Sequence, residues 1–381
     1  MSARTPISSL MLSGGGARAA YQAGVLSAIG EICTELRIAH PFHIYTGVSA
    51  GALNACLLTS QEGTFSEGCK KLIDLWSTIK SEDVYISNPW SLTYEGLHWI
   101  ADLSLGGMKK ATPGKSLINT APLKEMIEKN CAFENIHKKI KQGDILGVGV
   151  TALDYFNASS VTFMQAHTQL PSWERVRRRS EAVEINADHL MASAAIPLIF
   201  PPINIDNKYY GDGSIRNLSP CAPAIYMGAD KILAIGVRCH QDVCFTQKAE
   251  STLEPPNTAR ILSVMLNAVM IDGIELDIER IERINKGMQN ILESEREKLS
   301  IRPIQTLWIS PSRDLSTIAA NRSTDLPRMI RYLLRGLGSL EEAGEITSFL
   351  LFDTTFCKKL IELGFNDGMR QKDKIKKFLT D

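Results

Sequence analysis

A chain of 381 residues with 44% hydrophobic content can bury a substantial core, and its 42 Lys+Arg are balanced by 42 Asp+Glu. That balance leaves no global field to hold nucleic acid, so any membrane contact has to be local. The eight cysteines are scattered, mostly in apolar runs, which fits a reducing compartment; the one cluster, Cys239, His240 and Cys244, lacks a second ligand pair at a zinc spacing, so no metal is expected.

The opening residues MSARTPISSL hold one Arg and no continuous apolar run, so no signal peptide is expected. Ser8 to Ser13 is short and apolar and meets Gly14-Gly15-Gly16, after which Ala17 to Leu36 carries Ala, Leu, Ile and Glu at helical spacing. That pattern predicts strand, tight loop and helix. His43 to Val48 is a second β-prone run and passes directly into Ala50-Gly51-Ala52-Leu53-Asn54-Ala55, a small-residue helix start. The repeat of strand, turn and helix predicts a parallel α/β arrangement.

Residues 82–116 turn aromatic and glycine-rich, with Tyr85, Trp90, Tyr94, Trp99 and Gly106-Gly107, and read as a lid or insertion. A helix is predicted near Ala121 to Asn130, strands at Ile145 to Thr151 and Val161 to Gln165, and a helix from Ala187 to Ala195 that stops at Pro197. The uncharged stretch His189 to Ile205 is broken by Pro197, Pro201 and Pro202 and cannot span a bilayer. Two short strands, Ile203 to Ile205 and Lys208 to Tyr210, flank Asp206-Asn207, and Lys231 to Val237 is a buried strand.

The expected catalytic domain therefore covers 1–240, and 241–381 is a mainly helical extension packed on it. Within the extension, Ile274, Ile278, Ile281, Ile284, Met288 and Ile291 form a helical stripe over 258–298. Gln305 to Ile309 adds a strand, and helices follow over 326–351 and 367–379. The expected location is cytoplasmic, with any membrane association peripheral.

Three short segments carry chemistry. Gly47-Val48-Ser49-Ala50-Gly51 is G-x-S-x-G between a strand and a helix, where a sharp turn exposes the hydroxyl and the helix N-terminus faces developing negative charge. Ser13-Gly14-Gly15-Gly16-Ala17-Arg18 frees backbone amides to face an anion and could serve as an oxyanion hole. The same glycines fit the dinucleotide pattern, with Glu31 or Glu35 as the ribose-binding acid, so a nucleotide-binding oxidoreductase stays open on this loop alone. In Tyr210-Gly211-Asp212-Gly213-Ser214 an acid sits between two glycines after a short strand; alone it is also a common tight turn. Together the three supply a nucleophile, a base and an oxyanion site, which is what acyl hydrolysis needs.

SGGGARAAYQAG, TGVSAGALNA and GDGS, in that order, resemble the three signatures of patatin-like phospholipases, and Ala192-Ser193-Ala194-Ala195-Ile196-Pro197 resembles a segment preceding the aspartate in such proteins. The extension resembles that of a bacterial patatin-like subgroup. The resemblance implies a three-layer α/β/α fold with a mainly parallel sheet, and a Ser/Asp dyad of Ser49 and Asp212. It also implies an oxyanion site from Gly14, Gly15 and Gly16 with Arg18 at the basic position, and no cofactor. Ala19 and Ser214 depart from it, standing where the family usually or often has glycine.

The implied reaction is hydrolysis of fatty acyl esters of phospholipids or lysophospholipids through an acyl-enzyme, with Asp212 as base and amides of Gly15, Gly16 and Ala50 on the oxyanion. A carboxylate near its ordinary value of about 4 is a poor base for a serine, so the scheme requires a dry, preorganised site. His240 is the one histidine after both Ser49 and Asp212 and would complete a rival Ser-Asp-His triad. A non-catalytic lipid-binding protein is a further alternative. Arg328, Arg331 and Arg335 share a helical face that could meet phosphate, and Arg177-Arg178-Arg179 reads as solvated surface charge.

Overall fold

The computed structural model describes residues 5–86, 118–167, 170–197, 199–239, 273–292, 301–337 and 344–381, with single positions 261, 264, 295 and 299. Most of the expected lid, including Trp90, Tyr94 and Trp99, lies outside the described residues, as do His240 and Cys244.

The strands are β1 (Ser8–Leu12), β2 (Ile44–Val48), β3 (Gly147–Asp154), β4 (Ser159–Ala166), β5 (Glu174–Arg175), β6 (Arg178–Ala182), β7 (Ile203–Ile205), β8 (Lys208–Asp212), β9 (Lys231–Ile235) and β10 (Gln305–Ile309). They form one sheet in the order β10-β9-β1-β2-β3-β4-β6-β5, with β8 on β3 and β7 on β8. The five strands from β10 to β3 are mutually parallel, and β4 turns the sheet antiparallel at β3.

The helices are α1 (Ala20–Leu36), α2 (Ala50–Ser60), α3 (Phe65–Thr78), α4 (Ala121–Asn130), α5 (Phe133–Gln142), α6 (Ala187–Ser193), α7 (Ala222–Tyr226), α8 (Gly273–Gln289), α9 (Leu315–Ala320), α10 (Arg328–Leu337), α11 (Gly344–Leu350), α12 (Thr354–Arg370) and α13 (Lys372–Thr380). Side chains of the central strands alternate between two cores. Leu10 and Leu12 of β1 and Leu233 and Ile235 of β9 face a core shared with α1, α2, α3 and α12; Met11, Ile232 and Ala234 face the other, closed by α7 and α8. Burial on both faces explains why these strands are continuously apolar, and it yields the three layers.

The predicted strands around the glycine loop, the serine and the aspartate all form, and β10 falls on the predicted residues. Helices α3 and α5 and strands β5 and β6 were not predicted. Arg178 and Arg179 are strand residues, and Arg179 is no solvated charge: it bonds Asp154, Glu181 and Ser159. Residues 241–381 give the sheet its edge strand as well as helices. Cys33, Cys56, Cys69, Cys131, Cys221 and Cys357 are free and buried, as expected for reduced thiols, whereas Cys239 is in a disulfide. No helix among the described residues is long and apolar enough to cross a membrane.

Candidate active site

Register brings the serine to the aspartate. Along one edge of β3, Gly147 to Thr151 pair with Ile44 to Val48 of β2, and the next residue, Ala152, pairs with Asp212 of β8. The two strands share that edge end to end, so the residue leaving β2, Ser49, emerges beside Asp212. The Ser49 hydroxyl donates to Asp212 Oδ2 at 2.7 Å.

Ser49 adopts φ 54° and ψ −131°, a conformation rarely adopted by L residues and maintained only where surroundings over-determine it. The restraints are visible. Its amide donates to Ser193 Oγ at 2.8 Å, and Ser193 Oγ donates to Thr151 O at 2.6 Å. Gly51 is required because a Cβ there would lie 2.4 Å from the carbonyl oxygens of Leu12 and Ser13, so α2 can start hard against the end of β1. Sequence reasoning noticed Ser193 only within the segment that precedes the aspartate and gave it no role; the structure makes it the anchor of the Ser49 turn.

Asp212 is fully buried and Ser49 is 3% exposed. The other carboxylate oxygen of Asp212, Oδ1, accepts from Ser214 N at 2.8 Å, and the Asp212 amide donates to Ala195 O at 2.8 Å. Burial pushes the carboxyl up from 3.8 to about 6, against the hydrogen bonds from Ser214 and Ser49, which favour the carboxylate. A carboxyl held there is better matched to accept a proton from a hydroxyl than an exposed aspartate, which narrows the mismatch expected for an ordinary carboxylate.

The glycine loop packs against the same serine: a Cβ on Gly14 would lie 3.2 Å from Ser49 Cβ. Gly16 has φ +54° and faces Phe349 O at a distance that would leave an added Cβ only 2.3 Å away. Among the described residues, the amides of Gly14, Gly15, Gly16 and Ala50 donate to no protein acceptor. They stand as free donors at the N-terminal ends of two helical segments, next to the hydroxyl. Arg18, expected at the anion, is instead spent on α11. Its Nε donates to Ser348 Oγ at 2.6 Å, its Nη2 pairs with Glu345, and its guanidinium lies 4.6 Å from the centroid of the Phe349 ring.

Gly16, Ser49 and Ala50 open onto a narrow apolar cavity walled by Leu53, Trp76, Ile127, Leu190, Phe200 and Phe352. A wider, charged groove lined by Lys71, Asp74, Glu125 and Lys129 does not include Ser49. Tyr85, from the start of the expected lid, is buried against Phe200 and Phe352.

The nucleotide reading of the loop fails on placement. Glu31 and Glu35 both lie in the last two turns of α1, about 16 and 22 Å along the axis from the loop, Glu31 exposed and Glu35 paired with Lys372 and Lys376. Of the histidines, His43 accepts from Ser8 N and His189 from Asn186 N, and among the described residues none bonds Ser49 or Asp212. Arg331 donates to Thr324 O and Arg328 is exposed, with no contact to the site. No metal-binding cluster occurs among the described residues.

A mostly parallel sheet between two helical layers, with a serine on a strained strand-to-helix turn at its C-terminal edge, defines the class of α/β folds built around a nucleophile elbow. Within that class the chain belongs to the patatin-like phospholipase family, whose model matches residues 10–225. A search of curated proteins finds no significant match. Among solved structures the chain is similar to VipD from Legionella pneumophila, with 12% identity over 97% of this chain and 67% of that one and a TM-score of 0.37. It is also similar to human GIVD cytosolic phospholipase A2, with 11% identity, 98% and 58% coverage and a TM-score of 0.45. A third is the type III effector ExoU of Pseudomonas aeruginosa, with 14% identity, 89% and 77% coverage and a TM-score of 0.30. The chain thus spans little more than half of the human enzyme's length.

Proposed function

We propose that this protein is a serine acyl hydrolase that cleaves fatty acyl esters of phospholipids or lysophospholipids through Ser49 and Asp212. The observation that carries the reading is the 2.7 Å bond from the Ser49 hydroxyl to a fully buried carboxylate, at the mouth of an apolar cavity and beside free amides. Family membership supports lipid-ester hydrolysis. Asp212 Oδ2 takes the hydroxyl proton as Ser49 Oγ attacks the ester carbonyl, and the amides of Gly15, Gly16 and Ala50 hold the oxyanion. The alcohol leaves with the proton from Asp212. Water, deprotonated by the same carboxylate, then releases the fatty acid and regenerates the serine.

The apolar wall of the cavity suits an acyl chain and offers nothing to a charged one, which favours fatty esters over polar acyl donors. A fluorophosphonate probe should label the wild-type protein once, and a nitrophenyl ester should turn over; Ser49→Ala should abolish both. Labelling that persists in Ser49→Ala would dismiss the serine. Product mass spectrometry on a mixed phospholipid and lysophospholipid panel identifies the head group and the ester cut.

A further inference from the structure

The sheet places three hairpin tips, at 155–158, 176–177 and 206–207, on the edge where Ser49 emerges. Val48 pairs with Thr151, and β3 continues only to Asp154 before turning into β4, so the turn at 155–158 rises just past the level of the serine. Strand β6 runs parallel to β4 with Arg178 opposite Ser160, which sets the Val176-Arg177 turn beside it; Ser160 N donates to Arg177 O at 2.9 Å. On the other side of β3, Tyr209 O accepts from Tyr155 N at 3.1 Å.

These tips carry apolar residues that the described residues leave largely uncovered. Phe156 and Val176 are each 88% exposed, and Tyr209 and Tyr155 are 51% and 43% exposed. Exposing a large apolar side chain forgoes burial that would stabilise the fold, and several together mark a contact surface. Nor are the tips loose. Asp154, fully buried, accepts from the amides of Phe156 and Asn157, from Asn157 Nδ2 and from Arg179 Nη2. A buried carboxylate thus holds Phe156 outward. Around the tips, Lys208 lies 3.8 Å from Glu181, and with that pair set aside the exposed Arg175 and Arg177 and the half-buried Arg178 outnumber the exposed Glu174 and Asp206, a local basic excess on a chain whose total charge is balanced.

We infer that this edge is the surface by which the protein seats on an anionic phospholipid bilayer. Phe156 and Val176 enter the boundary between headgroups and acyl chains, Tyr155 and Tyr209 lie at headgroup level, and the basic residues meet lipid phosphate. The docked orientation turns the Ser49 edge of the sheet toward the lipid. That consequence rests on the hydrolase reading, whereas docking itself does not.

The test separates the two. Full-length Ser49→Ala protein is sedimented with vesicles of phosphatidylcholine, with and without phosphatidylglycerol. It should bind the anionic vesicles, and adding Phe156→Ser with Val176→Ser should weaken binding by about tenfold or more. Arg175→Glu with Arg177→Glu should remove the preference for phosphatidylglycerol. In a Ser49 background the Phe156→Ser, Val176→Ser protein should cleave a soluble nitrophenyl ester at the parent rate, which also reports that it folds. Failure of the parent to bind either vesicle, or equal binding by the double variant, would overturn the proposal. So would a dimer that the double variant dissociates, because the tips would then join copies of this chain. Absence of ester cleavage would count against the hydrolase alone and leave the vesicle result standing.

Discussion

Asp212 carries two opposed demands. As the proposed base it has to be ionised, and as a fully buried group it is pushed by desolvation to hold its proton up to about 6. Activity should therefore rise as pH climbs through about 6 and level off above it, and Asp212→Asn should lose about 10²–10⁴-fold on that plateau, with the gap narrowing below pH 6. Stability runs the other way. A carboxyl whose folded value lies above its unfolded one contributes fully below the unfolded value near 4 and loses that contribution as pH rises past about 6. Holding the charge at pH 8 costs about 3 kcal/mol from the difference between the two values. Asp212→Asn should accordingly melt higher than wild type at pH 8, with the gap closing toward pH 4. A variant less stable than wild type at pH 8 would mean that the carboxylate, with its bonds from Ser49 and Ser214, is favourable as it stands.

Among the elements, those around the candidate site were the most legible, because a turn that exposes a serine or frees three amides admits few residue types. Helix α3 was missed although Thr64 and Glu67 form a capping box, each side chain bonding the other's amide, a pattern readable in sequence. The role of α11 was not readable at all: Arg18 meets Ser348 and Glu345 across some three hundred residues, and no local pattern encodes that meeting. Helix α11 nonetheless packs on the glycine loop, since Phe349 O faces Gly16 directly and the Arg18–Glu345 pair is largely buried, with side-chain exposures of 3% and 13%. Removing one partner of such a pair leaves a buried charge and costs about 3–5 kcal/mol, while replacing both by apolar groups costs little. Glu345→Met should thus be strongly destabilised and Arg18→Met, Glu345→Met largely restored by urea titration. If the pair positions the loop, the restored double variant should still show a lowered kcat at nearly unchanged KM, about tenfold or more, because oxyanion donors act in the transition state. Full recovery of kcat would reduce the pair to a structural contact.

At the scale of the whole molecule, the chain after residue 240 is joined to the sheet too closely to be an appendage. Strand β10 covers the edge of β9, Lys231 Nζ donates to Phe378 O at 2.7 Å, and α12 lies along α1 through a seam of facing glycines. In that seam a Cβ on Gly24 would stand 2.1 Å from Ile361 O, and one on Gly364 would stand 2.1 Å from Tyr21 O. Only backbone fits between the helices. Gly287, on α8, has nothing within 4 Å of its missing Cβ. The same substitution should therefore have opposite signs at the two helical positions. Gly287→Ala removes unfolded-state freedom and should stabilise by about 0.5–1 kcal/mol, whereas Gly364→Ala gains the same propensity but has to push α12 away from α1, at a cost of about 1–3 kcal/mol. Urea midpoints of the two variants decide it. A stabilised Gly364→Ala would show that α12 can move off α1 freely, and residues 241–381 would then be an independent unit resting on the catalytic sheet rather than a contributor to its core.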